Sequence, residues 1–130
     1  MTLTLYAATA AVFLILDAIM LSLVIKPLFT RHIGPLLAEP IRIAPAALFY
    51  LAYVAGLVYL VSLPALKTGS PVVLPALIIG LMAYGTYEFT SWSVMKDWHW
   101  TMVATDLTWG AFLTAFSAWA GVAITRAIHG

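Results

Sequence analysis

The chain has 130 residues, 64% of them hydrophobic and only eleven charged, six Lys or Arg and five Asp or Glu, for a net charge of +1. About 83 apolar residues are four membrane crossings' worth at ~20 each, more apolar surface than a soluble domain of this size can hide. The weak, scattered positive charge excludes a nucleic-acid binder, and the lack of cysteine excludes disulfides, thiolate metal sites and cysteine nucleophiles.

Four apolar segments are predicted to be membrane helices. The first covers residues 4–25 and is expected to end at Lys26-Pro27, because proline disfavours helical geometry in the residue before it. It lacks a basic leader and is too long for an ordinary secretory signal, so it reads as a retained span. The second covers 45–66, opening on Pro45, whose missing amide costs nothing in a first turn, and closing before Lys67. A short turn, Lys67-Thr68-Gly69-Ser70-Pro71, leads to the third at 72–94, which stops at Lys96-Asp97. The fourth covers 101–124 and finishes at Arg126. The stretch 26–44 is expected to be the one sizeable loop, with Gly34-Pro35 and Glu39-Pro40 as helix breakers. The expected fold is all-α: an integral membrane four-helix bundle forming a single transmembrane domain over 1–130, multi-pass in the inner membrane.

Charge sets the expected orientation. Lys26, Arg31, Arg42 and Lys96 fall on one face and Lys67 and Arg126 on the other, which puts the 26–44 loop in the cytoplasm and both termini outside. Trp98 and Trp100 are expected at the cytoplasmic interface, a usual depth for indole rings.

Three acids interrupt the apolar spans: Asp17, Glu88 and Asp106. Placing Asp at a helix centre in hydrocarbon costs ~2.5–3.5 kcal/mol, so each acid needs a reason to be there. Asp17 precedes Lys26 by nine residues, Glu88 precedes Lys96 by eight and Asp106 follows Lys96 by ten. At ~1.5 Å per residue all three lie roughly 12–15 Å below the same face. Tyr50 and Tyr53 on the second helix reach a similar depth. Tyr84, Tyr87, Glu88 and Ser91 share one face of the third helix, and Asp106 and Trp109 one face of the fourth. The pattern predicts a polar chamber in the cytoplasmic half of the bundle. Asp17, Glu88 and Asp106 are its candidate catalytic groups, and Tyr50, Tyr53, Tyr84, Tyr87, Thr90, Ser91 and Trp109 its candidate ligand-binding groups.

Carboxyls crowded together in a low dielectric resist ionising together, which suits acid/base chemistry on a lipid-like substrate, proton relay, or capture of a cationic headgroup. The alternative is structural: the same acids, bonded to the tyrosines and Thr90, would knit four helices together. His32 and His99 lie near the cytoplasmic face without metal-ligand spacing and read as solvent-facing, so no metal and no cofactor is expected. Lys96 is expected to extend outward to water. Ala52-x-x-x-Gly56 reads as a small-residue contact, within the bundle first and as a dimer seam second. Ser91 and Ser93 have no histidine at their depth, and no nucleophilic triad is present.

Leu16-Asp17-Ala18, the run Leu48-Phe49-Tyr50-Leu51-Ala52-Tyr53-Val54-Ala55-Gly56-Leu57, Ala83-Tyr84-Gly85-Thr86-Tyr87-Glu88-Phe89-Thr90 and Asp106-Leu107-Thr108-Trp109-Gly110 come in this order along the chain. Together they resemble the bacterial membrane-protein family known as domain of unknown function 2177. Two positions depart from the family pattern: Glu88 stands where Asp is expected, and Met20 where Trp is expected. The resemblance implies a four-helix inner-membrane protein and brings no established activity. Three functional readings follow. One is a protein that binds a lipid or other hydrophobic small molecule, as an enzyme or as an accessory subunit of a lipid-modifying system. The second is a proton- or cation-coupled transporter working as a homo-oligomer, and the third a structural partner of another membrane protein.

Overall fold

A computed structural model describes residues 1–37 and 42–129, and among them every regular element is helical. The elements are α1 (Thr2–Met20), a π-helical turn (Leu21–Ile25), α2 (Lys26–Ile33), a 3-10 turn (Gly34–Leu36), α3 (Ile43–Leu57), a second π-helical turn (Val58–Ser62), α4 (Leu63–Thr68), α5 (Val73–Val94) and α6 (Trp100–His129). They form four continuous helices long and apolar enough to cross a membrane: Thr2–Leu36, Ala44–Thr68, Val73–Val94 and Trp100–His129. Large apolar side chains face outward along all four, among them Leu23, Leu48, Leu60, Leu74 and Phe112. In water such a surface would drive aggregation; in a bilayer it is the solvated face.

The first helix runs on where the sequence reading ends it. Pro27 lacks an amide and its ring crowds the carbonyl four residues back, yet the backbone widens into the π turn at Leu21–Ile25 and continues as α2. The stretch expected to be loop is therefore largely helical, and the Gly34-Pro35 break is a single 3-10 turn. Glu39-Pro40 lies outside the described residues. Pro64 repeats the pattern two residues after the π turn at Val58–Ser62. Span two ends on Gly69, whose φ of 74° is left-handed and whose amide bonds to the Ala65 carbonyl at 2.9 Å. The Arg126 guanidinium bonds to that same carbonyl at 3.1 Å, tying the ends of α4 and α6 together.

The fourth span is the axis of the bundle. Its inner faces are made of small residues: Gly110, Ala111, Thr114, Ala115, Ser117, Ala118 and Gly121 are all buried. Small side chains let helix backbones approach, which is how helices without a hydrophobic driving force gain packing energy in lipid. A Cβ on Gly80 of α5 would stand 2.8 Å from the Ala111 Cα and from the Gly110 carbonyl oxygen. A Cβ on Gly121 would overlap Thr9 of α1. Helices α5 and α1 thus both lie close against α6, while α3 packs chiefly on α1 and stands away from α5. Ala52 and Gly56 are exposed, and a Cβ on Gly56 would meet nothing within 4 Å. The expected small-residue contact inside the bundle is not made, because this face of α3 turns outward.

Candidate functional site

The gap left by α3 is the site. A cavity of about 520 Å³ lies between the first three spans, toward the end of the bundle that carries Lys26 and Lys96. Asp17, Leu21, Ile25 and Phe29 line it from the first span, Ala46, Phe49, Tyr50 and Tyr53 from the second, Ala83, Tyr84 and Tyr87 from the third, and Asp106 from the fourth. Leu21, Ala46, Phe49 and Tyr87 are exposed, so the mouth opens sideways between helices. The π turn at Leu21–Ile25 contributes two wall residues, Leu21 and Ile25, which couples the distortion before Pro27 to the shape of the cavity.

Three of the four spans supply the acids, and the fold brings all three acids together. Asp17 is 4% exposed, Asp106 9% and Glu88 fully buried. They form a row rather than a three-sided cluster. Asp106 stands in the middle, its carboxyl beside that of Glu88 and facing Asp17. Among the described residues no three His, Asp or Glu side chains converge to hold a metal ion. Each end of the row is held by an indole: Trp109 Nε1 donates to Asp17 Oδ1 at 3.1 Å, and Trp98 Nε1 donates to Glu88 Oε1 at 3.0 Å. The other oxygens, Asp17 Oδ2 and Glu88 Oε2, are buried without a hydrogen-bond partner. One oxygen of each end acid is therefore held by an indole, and the carboxyls' remaining neighbours are Tyr50 at Asp17 and Asp106 at Glu88.

The tyrosines line the same cavity as Asp17 and Asp106, with Tyr50 beside Asp17. Phe13 packs tilted against Tyr50 and Tyr53, with ring centroids 5.6 and 5.7 Å apart. Tyr53 meets Tyr84 edge to face at 6.4 Å, and its hydroxyl shares a hydrogen bond of 2.9 Å with Thr114 of α6. Tyr84 rests on Gly110, where any side chain would overlap its ring. Chemically, the arrangement offers two nearly buried carboxyls, Asp17 and Asp106, among aromatic side chains. A proton placed on Asp106 or Glu88 has a neighbouring carboxyl to bond to.

The sequence reading and the structure differ at identifiable residues. Asp17, Asp106, Tyr50, Tyr53, Tyr84 and Tyr87 line the cavity as a group. Glu88 lies behind the wall, reaching the site through Asp106. Trp109 approaches Asp17 from the side away from the cavity. Thr90 and Ser91 do not line it: Thr90 is two residues past Glu88, about 200° round the helix at ~3.6 residues per turn, and is exposed. Ser91 lies three residues past Glu88, nearly a full turn toward the helix end, and is half-buried outside the lining. Trp100 is exposed as expected at an interface, but Trp98 is 6% exposed and packs edge-on against Phe29 at 5.3 Å and Tyr87 at 5.8 Å. Sequence reasoning missed the lining residues Leu21, Ile25, Phe29, Ala46, Phe49 and Ala83, and it missed this indole. Its signal was the buried acid itself, which needed a donor on a neighbouring turn. His32 and His99, expected to face solvent, are half-buried and stack on each other at 4.4 Å between α2 and the start of α6.

No curated protein and no solved structure matches the chain. The family of predicted membrane proteins of domain of unknown function 2177 does, its model covering residues 2–123, so that the acids, tyrosines and indoles of the site all fall within the matched region. With that coverage, the chain belongs to this family of predicted membrane proteins (DUF2177).

Proposed function

We propose that the protein binds a lipid or other hydrophobic small molecule in the cavity between α1, α3 and α5, as an enzyme or as an accessory subunit of a lipid-modifying system in the inner membrane. The reading is carried by one observation: a cavity of about 520 Å³, open at the side of the bundle, sets apolar and aromatic walls around a floor of two buried carboxyls. That volume suits a small ligand, or one headgroup with part of a chain, and is in the range that pockets use to enclose such molecules. An amphiphile diffusing in the membrane reaches the mouth past Leu21, Phe49 and Tyr87 without crossing water. With the 26–44 segment in the cytoplasm, as the cation distribution favours, the site lies in the inner leaflet. Acid/base work falls to Asp17 and to the Asp106–Glu88 pair.

A conduit through the bundle has less support. On the far side of the acids, Leu5, Ala10, Val54, Val58, Ala65, Leu113 and Val122 form one apolar packed cluster. A purely structural role for the acids accounts for the indole bonds but not for the placing of two carboxyls in the lining of an open cavity.

The test fills the cavity. Ala46→Trp places an indole at the mouth, on an exposed position where folding is not at stake. Native mass spectrometry of the protein released from membranes should show a bound small amphiphile that is lost in Ala46→Trp. Equal occupancy in both, or a bare protein throughout, would refute the proposal.

A further inference from the structure

We infer that the cavity selects an organic cation, an amine or quaternary ammonium group carried on a hydrocarbon body. This rests on the proposed ligand cavity and names what it takes. Three independent features of the wall agree. Asp17, 4% exposed, and Asp106, 9% exposed, put two carboxyls into the lining. Six aromatic side chains, Phe29, Phe49, Tyr50, Tyr53, Tyr84 and Tyr87, line the same cavity. Ring faces are electronegative and attract ammonium groups within ~6 Å, the more strongly where water is excluded. None of the six Lys and Arg residues and none of the three His residues is among the lining residues.

The last feature decides the sign. A phosphate, sulfonate or carboxylate head placed on this floor would meet Asp17 and Asp106 at close range with no counter-charge in the wall. Desolvating an anion beside other anions is among the costliest arrangements a membrane site can hold. An ammonium group reverses those contacts: it gives the lining carboxyls a partner, neutralises a carboxylate among them and lies against aromatic rings. A neutral alcohol satisfies only the first. The hydrocarbon body then follows the apolar wall, Leu21, Ile25 and Phe29, out to the lipid.

The experiment compares heads on one tail. Dodecyltrimethylammonium, dodecanesulfonate and dodecanol are titrated at low mole fraction onto the full-length protein in dodecyl maltoside micelles, which carry neither charge nor amine, with protein-free micelles subtracted. Dodecyltrimethylammonium should bind at least tenfold more tightly than dodecanol, and dodecanesulfonate should not bind measurably. Asp17→Asn keeps an oxygen for the Trp109 bond, so it should fold; it should weaken the ammonium ligand about tenfold and leave dodecanol unchanged. Tyr84→Leu, which removes a ring face, should weaken it severalfold, whereas Tyr84→Phe should not. Lysophosphatidylcholine distinguishes a lipid headgroup from a free amphiphilic amine; with a phosphate beside its ammonium, it should bind more weakly than dodecyltrimethylammonium. Binding of all heads with similar affinity would overturn the cation assignment while keeping the cavity as a ligand site. Binding of none would overturn both.

Discussion

The seat of Tyr84 on Gly110 gives the sharpest test of how packing builds the site. In Gly110→Ala the new Cβ would overlap the Tyr84 ring, and the three nearest atoms it meets all belong to that ring. Inserting a methyl into a filled contact costs about 1–3 kcal/mol. Against that, replacing a helical glycine by alanine gains up to about 1 kcal/mol of helix propensity. With Tyr84 in place the steric cost wins, and Gly110→Ala should destabilise by up to about 2 kcal/mol once the full propensity gain is subtracted. In a Tyr84→Ala background the obstacle is gone and the sign should reverse, with Gly110→Ala neutral or stabilising by up to about 1 kcal/mol. Because Tyr84 borders the cavity, its ring can retreat only by filling it, so the single variant should also lose ligand affinity. Reversible unfolding in mixed micelles, run as a double-mutant cycle, reads the coupling. Gly80→Ala is the control: its Cβ would meet the Ala111 and Gly110 backbone at 2.8 Å, which no side-chain deletion at Tyr84 relieves. Equal destabilisation by Gly110→Ala with and without Tyr84 would refute the claim that this glycine exists to seat the ring.

Other outcomes follow from the same geometry. Trp98→Phe and Trp109→Phe each remove the donor to a buried carboxyl and should each cost about 0.6–1.7 kcal/mol in unfolding measurements, the range of interhelical hydrogen bonds in membranes; no loss in either would mean the indoles only fill space. Pro27→Ala restores an amide to the turn of Leu21–Ile25, so that turn should tighten to an α-helix and gain protection in amide hydrogen exchange. Unchanged exchange there would show that proline is not the cause of the distortion. Gly69→Ala puts a side chain on a left-handed φ of 74° and should cost about 1 kcal/mol, read from the same unfolding curves.

The division of labour among the acids has a chemical consequence. Oδ1 of Asp17 and Oε1 of Glu88 are occupied by indoles, so the orientation of each carboxyl is set before any ligand arrives. Preorganised acceptors in a water-poor site act without having to reorient, which is the condition for strong recognition or proton transfer in the membrane. Asp106, between them, is positioned to connect the cavity floor to Glu88 behind it.

The chain's own residues determined the four spans, since stretches of about 20 apolar residues have few other stable forms and lipid requires every backbone amide to bond within its helix. They also put the three acids at one level along the bundle, because rise per residue converts sequence separation from Lys26 and Lys96 into distance along a helix. Tertiary structure decided what depth leaves open, namely rotation and proximity. Thr90 and Ser91 have suitable depth but the wrong azimuth or turn, and only the packing of α5 on α6 reveals it. Trp98 looks like an interfacial anchor until α2, carried past Pro27 by a π turn, folds Phe29 over it and leaves its N–H aimed at Glu88. The cavity itself comes from α3 standing away from α5, an arrangement set by the close approach of α1 and α5 to the small-residue faces of α6. Periodicity fixes which residues share a helix face, whereas the space between helices depends on side-chain volumes at crossings far apart in sequence.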